Sequence, residues 1–352
     1  MRSPSRPAAP LSIRLRDRIL VPRAPRDTSL ITGHPARTPT RHMVDVPDPV
    51  SGRLTPLAVW HYAPEPDADR ATPSAPLVMV HGFRGDHHGL ALIADCLPEL
   101  ELYLPELPGF GHSPAFPRAE HSVEHYADVV GTAVAQLGVI PDDGTCLPVA
   151  PRPTLVGHSF GSVVASHLAA QSPSRWEGLA LLNPICEPAL SADGSVFERV
   201  LARVAQGYYE VSAAVPERLG MALLGSPVVV WITGTVMTKT RDRRTLAYLH
   251  DQHHQYFSAF DTRQVLVESY RASTSGTVLD VADQLELPVL LVAGAQDELG
   301  SVAGQEHLAE RIGDVSPSVR LEMLESVGHL VHYERAPLTA QLLQEFVGTC
   351  AW

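Results

Sequence analysis

The chain has 352 residues, of which 45% are hydrophobic and 19% charged, a composition typical of a soluble globular protein and not of a disordered one. Its length is sufficient for one large domain or two modest ones with a substantial core. The formal net charge is -12, and because an acidic surface repels phosphate backbones, a nucleic-acid partner is not expected.

The start of the chain differs from the rest in charge and composition. Residues 1–41 carry nine arginines against Asp17 and Asp27, a local charge of +7, and they contain many prolines without apolar periodicity. A segment of this composition cannot bury a core of its own. We therefore predict that residues 1–40 form a flexible basic extension, and that deleting residues 1–38 leaves activity and melting temperature unchanged.

The N-terminal sequence and the cysteines indicate in which cellular compartment the protein is expected. No apolar segment follows the first arginines, so a secretory signal is not expected. The four cysteines are far apart and form no CxxC pair; they are Cys96, Cys146, Cys186 and Cys350. We interpret them as reduced, mostly buried thiols, which predicts a cytoplasmic protein.

From residue 42 onwards, strand and helix patterns alternate along the chain. Strands are predicted at 42–46, 54–62, 76–81, 101–104, 154–157, 178–182, 288–293 and 319–324. Helices are predicted at 90–97, 125–137, 160–170, 304–312 and 338–347. Strands separated by helices predict an α/β fold class with a doubly wound, mostly parallel sheet.

One long stretch interrupts this alternation. Residues 187–276 carry aromatic residues at helical spacing and no strand pattern, which predicts a helical domain inserted into a core made of residues 41–186 and 277–352. Within it, Leu219 to Thr238 has no charged side chain across 20 residues. Because glycines and a proline interrupt this run, we predict a buried helical pair and no stable membrane insertion.

The strongest motif is Gly157-His158-Ser159-Phe160-Gly161, which lies between a predicted strand and a predicted helix. This context is typical of the GxSxG nucleophile elbow, where a serine sits on a strained strand-to-helix turn. Glycines flank the serine because larger side chains would collide with the neighbouring backbone. Ser159 is therefore the predicted nucleophile.

A serine hydroxyl needs a base, and two later strand ends supply candidates. His329 follows the strand at 319–324, and Asp297 follows the strand at 288–293. The chain order Ser159, Asp297, His329 is the order of a catalytic triad in this architecture, with His329 as base and Asp297 orienting its imidazole. His332 remains an alternative base and Glu298 an alternative acid.

The third element is His81-Gly82-Phe83, directly after the strand at 76–81. Acyl transfer needs two N–H donors where the oxyanion develops. One comes from the residue after the nucleophile, and the other from the loop after an early strand. We assign these donors to the backbone N–H groups of Phe160 and Phe83.

These motifs together make the chain resemble the α/β-hydrolase superfamily. The matching stretches are LVMVHGF (77–83), LPGFGHS (107–113), LVGHSFGS (155–162), LLVAGAQDE (290–298) and SVGHLVHYERA (326–336). The resemblance implies a helical cap after the sixth strand, Ser159, Asp297 and His329 as the triad, and Phe83 with Phe160 as oxyanion donors. It leaves the substrate open, because esterases, thioesterases, lactonases, carbon–carbon bond hydrolases, haloperoxidases and iminopeptidases share these features.

Three details of the sequence narrow the range of candidate activities. Superfamily members that are haloalkane dehalogenases or epoxide hydrolases use an aspartate nucleophile, so Ser159 argues against both. Carbon–carbon bond hydrolases often carry asparagine before the nucleophile, where this chain has His158. The HGGG loop of many lipases is replaced by HGFRG (81–85).

We therefore expect a cofactor-independent serine hydrolase that cleaves small to medium hydrophobic carboxylic esters through an acyl-enzyme. A carbon–carbon bond hydrolase and a ligand-binding receptor or scaffold on the same fold remain alternatives. The expected partner is a small-molecule substrate, and the oligomeric state is left open.

No metal is expected. His250, His253 and His254 lie at helical spacing, for which a hydrated helix face is favoured over a metal site, and His87 with His88 is interpreted as a loop near the site entrance. The uncharged run from Leu219 to Thr238 is expected to line the path to Ser159, with a simple core of the inserted domain as the alternative.

Overall fold

An eight-stranded sheet organises the fold. The computed structural model describes residues 27–65, 75–140, 151–188 and 196–350. The strands are β1 (Thr40–Pro47), β2 (Leu54–Tyr62), β3 (Leu77–Val80), β4 (Leu102–Pro105), β5 (Thr154–His158), β6 (Gly178–Leu182), β7 (Val289–Gly294) and β8 (Val319–Leu324). Their order in the sheet is β1-β2-β4-β3-β5-β6-β7-β8. The pairs β1–β2 and β2–β4 are antiparallel, and all other neighbours are parallel.

Helices connect these strands and cover both faces of the sheet. They are α1 (Ser29–Thr32), α2 (Ala91–Asp95), α3 (Val123–Gln136), α4 (Phe160–Gln171), α5 (Val196–Ala214), α6 (Glu217–Leu224), α7 (Pro227–Val236), α8 (Arg243–Tyr256), α9 (Arg263–Ser275), α10 (Val302–Gly313), α11 (Val331–Glu334) and α12 (Ala336–Cys350). In the described part of the chain, 3-10 turns lie at His87–Leu90, Pro173–Arg175 and Val278–Gln284. The predicted α/β class with a doubly wound, mostly parallel sheet is confirmed.

The core lies on both faces of the parallel strands. Every residue of β3, β5, β6 and β7 is buried, as expected of strands that helices cover on both sides. Successive residues of one strand enter different clusters: Val78 packs in one hydrophobic cluster, and Leu77 and Met79 pack in the other. The sheet is therefore a rigid platform whose strand ends carry the candidate site.

Among the described residues between β6 and β7 there are five helices, α5 to α9, which are called the cap helices below. They fill the stretch predicted to be an inserted helical domain, although the division into domains remains a prediction. Within the described residues, Glu217–Val236 is the stretch long and apolar enough to cross a membrane by length and composition alone.

The prediction that Leu219 to Thr238 forms a buried helical pair is wrong. This apolar stretch is divided into α6 and α7, and only 22% of its most apolar window is buried. Leu219 and Val228 are about half exposed, at 52% and 47%. The physical reason is that α7 buries one face only, where Gly234 approaches the side chains of Leu249 and His253 on α8.

The prediction of a flexible extension over residues 1–40 is wrong for its last part. Residues 1–26 lie outside the described residues, but Arg37 docks the following segment onto the core. Its guanidinium donates to the carbonyl oxygens of Tyr62, Ala63, Ala94, Leu97 and Leu100 at 2.7–3.1 Å. Its backbone N–H and the Thr28 hydroxyl both donate to the Asp95 carboxylate. Deleting residues 1–38 therefore removes a packed segment and is expected to lower the melting temperature.

Candidate active site

Ser159 sits at the junction of β5 and α4 in a strained backbone conformation, with φ 53° and ψ -123°. Only glycine fits beside it. A Cβ atom on Gly157 would lie 2.4 Å from the carbonyl oxygen of Gly161, and one on Gly161 would lie 2.3 Å from the carbonyl oxygen of Val80. Because these atoms belong to the backbone, they cannot move aside. The turn therefore presents the serine at the carboxyl end of the sheet, as the motif predicted.

The structure brings the three predicted triad residues together. His329 Nε2 lies 2.7 Å from Ser159 Oγ, and His329 Nδ1 lies 2.9 Å from Asp297 Oδ2. All three groups are buried: Ser159 is 8% exposed, His329 is 3% exposed, and the Asp297 side chain is 2% exposed. Each follows a different strand of one sheet, so the carboxyl ends of β5, β7 and β8 assemble the site.

The alternative acid, Glu298, and the alternative base, His332, are not part of this hydrogen-bonded triad. Glu298 forms an ion pair with Lys239, the only lysine of the chain. His332 packs against His158 with ring centroids 3.9 Å apart, and among the described residues it has no hydrogen bond to Ser159. The geometry therefore favours His329 over His332 as base and Asp297 over Glu298 as acid.

The Asp297 carboxylate is held by three groups. Besides His329, it accepts from the backbone N–H of Leu299 at 2.8 Å and from the Asn183 amide at 2.6 Å. Burial works to raise the pKa of Asp297, but the charge and hydrogen bond of His329, together with these two donors, lower it. An ionised carboxylate at Nδ1 selects the tautomer with a proton on Nδ1, which leaves the Nε2 lone pair facing the serine hydroxyl.

The loop that carries His329 is fixed to the segment after α7. The His329 N–H donates to the Met237 carbonyl at 3.0 Å. The buried Glu334 carboxylate accepts from the N–H groups of Gly328, Lys239 and Thr240 at 2.6–3.0 Å. Burial raises the pKa of Glu334 in spite of these donors. Sequence analysis missed this role of Glu334, whose only signal was an acidic residue five positions after the predicted base.

The loop after β3 lies directly against the elbow. A Cβ atom on Gly82 would lie 3.2 Å from the Cβ of Ser159. The His81 ring braces this loop, because Nδ1 lies 2.9 Å from the Gly82 carbonyl and Nε2 accepts from the N–H of Leu107 at 3.0 Å. Burial lowers the pKa of His81 and favours the neutral ring that this pattern needs. Phe83 and Phe160, the two predicted oxyanion donors, both line the cavity above Ser159.

That cavity has a volume of about 1060 Å³ and reaches from the triad to the cap helices. Apolar side chains of α5 and α7 contribute to its wall, among them Val204, Val229, Ile232 and Val236. Trp231 is not part of the lining and stacks on His250 instead, with ring centroids 6.0 Å apart. The uncharged run therefore lines the path to Ser159 with one face of α7, while its other face is exposed.

His253 differs from the hydrated helix face that was predicted for His250, His253 and His254. His253 is 6% exposed, lines the cavity, and has a buried Nδ1 without a partner among the described residues. Burial, followed by the charges of His250 and Arg84, lowers the pKa of His253 to about 3.

Within the described residues, one group of three side chains has ligand atoms close enough to hold a metal ion: Asp86, His87 and His88. Their ligand atoms lie within 4.8 Å of one another. All three residues already have hydrogen-bond partners, because His88 Nδ1 lies 3.0 Å from Asp86 and His87 Nδ1 lies 2.6 Å from the buried Glu106. These hydrogen bonds explain how the cluster packs. Of the two histidines predicted to lie near the site entrance, His88 lines the cavity, as does Asp86, and His87 does not.

Comparison with known proteins agrees with this geometry. Monoacylglycerol lipase ABHD6 of Homo sapiens is 24% identical over 281 residues, which are 78% of this chain and 75% of that protein. The pimeloyl-(acyl-carrier protein) methyl ester esterase of Neisseria meningitidis is 24% identical over 278 residues, 76% of this chain and 91% of that protein.

A solved structure of a thermophilic esterase from Thermogutta terrifontis superposes with a TM-score of 0.65 at 17% identity. It covers 89% of this chain and 100% of that chain, and this likeness bears on the fold alone. The family profile Hydrolase_4, described as serine aminopeptidase, S33, matches residues 71–336. The chain therefore belongs to this family and is an enzyme of the α/β-hydrolase superfamily.

Proposed function

We propose that this protein hydrolyses carboxylic esters of small to medium, uncharged hydrophobic substrates through an acyl-enzyme on Ser159. One observation carries the proposal: a buried serine hydroxyl lies 2.7 Å from an imidazole that is oriented by an ionised carboxylate. This arrangement opens into a cavity with apolar side chains on its wall. The mechanism uses only groups of the chain and water, so no cofactor or metal is part of the proposal.

The first half of the reaction transfers the acyl group. His329 Nε2 takes the proton of Ser159 as Oγ attacks the ester carbonyl, and the carbonyl oxygen becomes the oxyanion of a tetrahedral intermediate. The N–H groups of Phe83 and Phe160 donate to this oxyanion. When the intermediate collapses, the bond to the alcohol oxygen breaks, and the proton on His329 passes to that oxygen.

The second half regenerates the enzyme. A water molecule gives a proton to His329 Nε2 and attacks the acyl-enzyme carbonyl. The resulting tetrahedral intermediate then releases the carboxylic acid, as the proton returns from His329 to Ser159 Oγ. Asp297 remains ionised throughout, and its lowered pKa supports this role.

Ester substrates are favoured over the alternatives by two observations. The named relatives that cover most of the chain are a monoacylglycerol lipase and a methyl ester esterase, and both names denote hydrolases of carboxylic esters. The α7 residues on the cavity wall are uncharged, so an apolar acyl chain gains roughly 0.8 kcal/mol per buried methylene there. A charged substrate group would lose its hydration against this part of the wall without an opposite charge.

A substrate panel tests the proposal. Wild-type protein is assayed with p-nitrophenyl esters of increasing acyl length, an acyl thioester, a lactone, an aminoacyl p-nitroanilide and a ring-cleavage dienoate. We expect the highest kcat/KM for the medium-length esters and none of this activity in Ser159→Ala. A matched control is Ser166→Ala on the same helix, because the Ser166 hydroxyl donates only within α4, to the Ser162 carbonyl.

Three outcomes would reject the proposal in favour of a named alternative. Preferred turnover of the dienoate would indicate carbon–carbon bond hydrolysis, and preferred turnover of the anilide would indicate peptidase activity. Folded wild-type protein that turns over none of these compounds would indicate a ligand-binding scaffold.

A further inference from the structure

Arg84 stands in the loop of the proposed oxyanion donor, one residue after Phe83. It is 3% exposed and its backbone φ is 62°. The N–H of Gly85 donates to the Gly82 carbonyl at 3.0 Å, so residues 82–85 form a tight turn with Arg84 at its third position. Glycine usually occupies that position when φ is positive, because other residues are strained there. Arg84 therefore has a backbone conformation that is strained for a residue with a side chain.

The Arg84 side chain contacts the cap helices. Its Nη2 donates to the Leu224 carbonyl at 2.7 Å, and its Nε donates to the Phe257 carbonyl at 3.2 Å. Leu224 is the last residue of α6, and Phe257 is the C-cap of α8. The carbonyls at a helix C-terminus lack partners within the helix and carry partial negative charge. One guanidinium therefore joins the ends of two helices.

The remaining neighbours of Arg84 are aromatic. The guanidinium carbon lies 4.7 Å from the ring centroid of Phe257 and 5.7 Å from that of Phe260, in range of cation–π attraction. Among the described residues, no carboxylate lies within ion-pair distance of Arg84. Its charge is thus balanced by carbonyl oxygens and ring faces whose directions match a planar guanidinium and not a lysine ammonium.

Tyr209 links this contact back to Phe83. The Arg84 Nη1 donates to the Tyr209 hydroxyl at 3.3 Å, and the Tyr209 ring packs edge-on against Phe83 with centroids 5.9 Å apart. Tyr209 also stacks on Tyr270 of α9 at 3.8 Å. The side chains of Phe83 and Arg84 are therefore both fixed by residues of the cap helices.

The segment after α8 is clamped to the core from a second direction. The N–H of Asp261 donates to the Gly109 carbonyl at 2.9 Å, and the N–H of Gly111 donates to the Ala259 carbonyl at 3.0 Å. Because this segment has its own anchor on the core, the hydrogen bond from Arg84 to Phe257 positions the Phe83-Arg84 turn relative to a fixed point.

We infer that Arg84 is a positioning residue that couples the cap helices to the oxyanion hole. Its hydrogen bonds to α6, to Tyr209 and to Phe257 hold the turn in the conformation that directs the Phe83 N–H toward the substrate carbonyl. This inference rests on the proposed function, because it assigns Arg84 a role through Phe83. Its consequence is that the cap helices influence transition-state stabilisation as well as substrate binding.

Two variants test this role. Arg84→Gly keeps a residue that tolerates the positive φ but removes the side chain, and Arg84→Lys keeps the charge without the planar donors. The substrate is p-nitrophenyl acetate, whose acyl group is too short to depend on the apolar wall. We expect kcat to fall ~10- to 100-fold with KM changed less than about twofold, since a small displacement of an oxyanion donor has effects of this size. The rate of fluorophosphonate labelling should fall in parallel, and millimolar guanidinium should restore part of the activity of Arg84→Gly.

The matched control is Arg37→Lys. Arg37 also donates to several backbone carbonyls, but it lies in the N-terminal segment and is not part of the cavity lining. We expect this variant to lower the melting temperature and leave both kcat and KM for the acetate unchanged.

Several outcomes overturn the inference. Wild-type kcat for the acetate in Arg84→Gly would do so, as would an effect confined to KM for long-chain esters or to melting temperature. If Arg84→Lys does not fold, the inference is tested with Arg84→Gly and Tyr209→Phe. We expect a smaller loss of kcat in Tyr209→Phe than in Arg84→Gly. If the proposed function itself is wrong, the result is different: the wild-type protein shows neither turnover nor labelling.

Discussion

The amide of Asn183 joins the acid and the base of the candidate site. Its Nδ2 donates to Asp297 Oδ2 at 2.6 Å and to the carbonyl of Gly328, the residue before His329, at 3.0 Å. Asn183 follows β6 directly and has a left-handed φ of 45°. Three strand ends are therefore tied together by one side chain.

Replacing Asn183 by Ala should impair the orientation of the acid. A hydrogen bond to a charged group contributes roughly 1.5–3 kcal/mol, so we expect kcat for a p-nitrophenyl ester to fall at least about tenfold while KM changes little. The measurement is steady-state kinetics, with circular dichroism to show that the variant is folded. An unchanged kcat would mean that His329 and Leu299 hold Asp297 without Asn183.

The elbow should reject even a methyl group. In Gly161→Ala, the new Cβ would lie 2.3 Å from the Val80 carbonyl oxygen and 2.5 Å from that of His81. We expect a loss of at least about 2 kcal/mol in the free energy of unfolding, measured by urea denaturation.

Gly207 is the control for this substitution, because a Cβ there has nothing within 4 Å and the residue lies within α5. Gly207→Ala should stabilise the protein by about 0.5–1 kcal/mol, since alanine favours the helix. Similar effects of the two substitutions would contradict the packing described for the elbow.

Much of the site could be predicted from the sequence because its residues follow strands. Ser159 and Asp297 follow the buried strands β5 and β7, and His329 follows the partly buried strand β8. The carboxyl ends of parallel strands meet at one edge of a sheet. Asn183 obeys the same rule, since it follows β6, and this signal could have found it.

The contacts of Arg84 and Arg37 could not be predicted in this way. Arg84 meets the carbonyls of Leu224 and Phe257, which are 140 and 173 positions further along the chain. Arg37 stands in a proline-rich stretch whose composition indicates disorder, yet its side chain binds five carbonyl oxygens of the core. Such contacts depend on how distant segments pack, and local patterns do not encode them.

The two faces of α7 should respond differently to charge. Val229 lines the cavity, whereas its neighbour Val228 is 47% exposed. We expect Val229→Glu to lower kcat/KM for a hexanoyl ester by about 100-fold relative to acetate, because four additional methylenes contribute roughly 0.8 kcal/mol each when buried. Val228→Glu should leave this ratio unchanged. Equal loss for both esters with lowered stability would instead indicate damage to packing.

Buried neutral histidines should make stability depend on pH. Burial, followed by the charge of His329, lowers the pKa of His158 to about 3, and burial also lowers that of His253 to about 3. A lowered folded-state pKa means that the unfolded chain binds more protons below its ordinary value of 6.5, so stability is complete above that value and falls as the pH decreases toward 3.

The variant His253→Phe tests this dependence. Between pH 7 and pH 5, each such histidine should account for about 2 kcal/mol of lost stability. The free energy of unfolding of the variant should therefore decline by about 2 kcal/mol less than that of the wild type over this interval, measured by urea denaturation at both pH values. Parallel curves would show that His253 takes up a proton in the folded protein.

Covalent labelling tests most directly whether Ser159 is an activated nucleophile. Folded wild-type protein and Ser159→Ala are treated with a fluorophosphonate, digested and examined by mass spectrometry. We expect one adduct per chain on the peptide that contains Ser159, and no adduct in the variant. A folded wild-type protein without this adduct, or a variant labelled at the same rate on another residue, would contradict this role of Ser159.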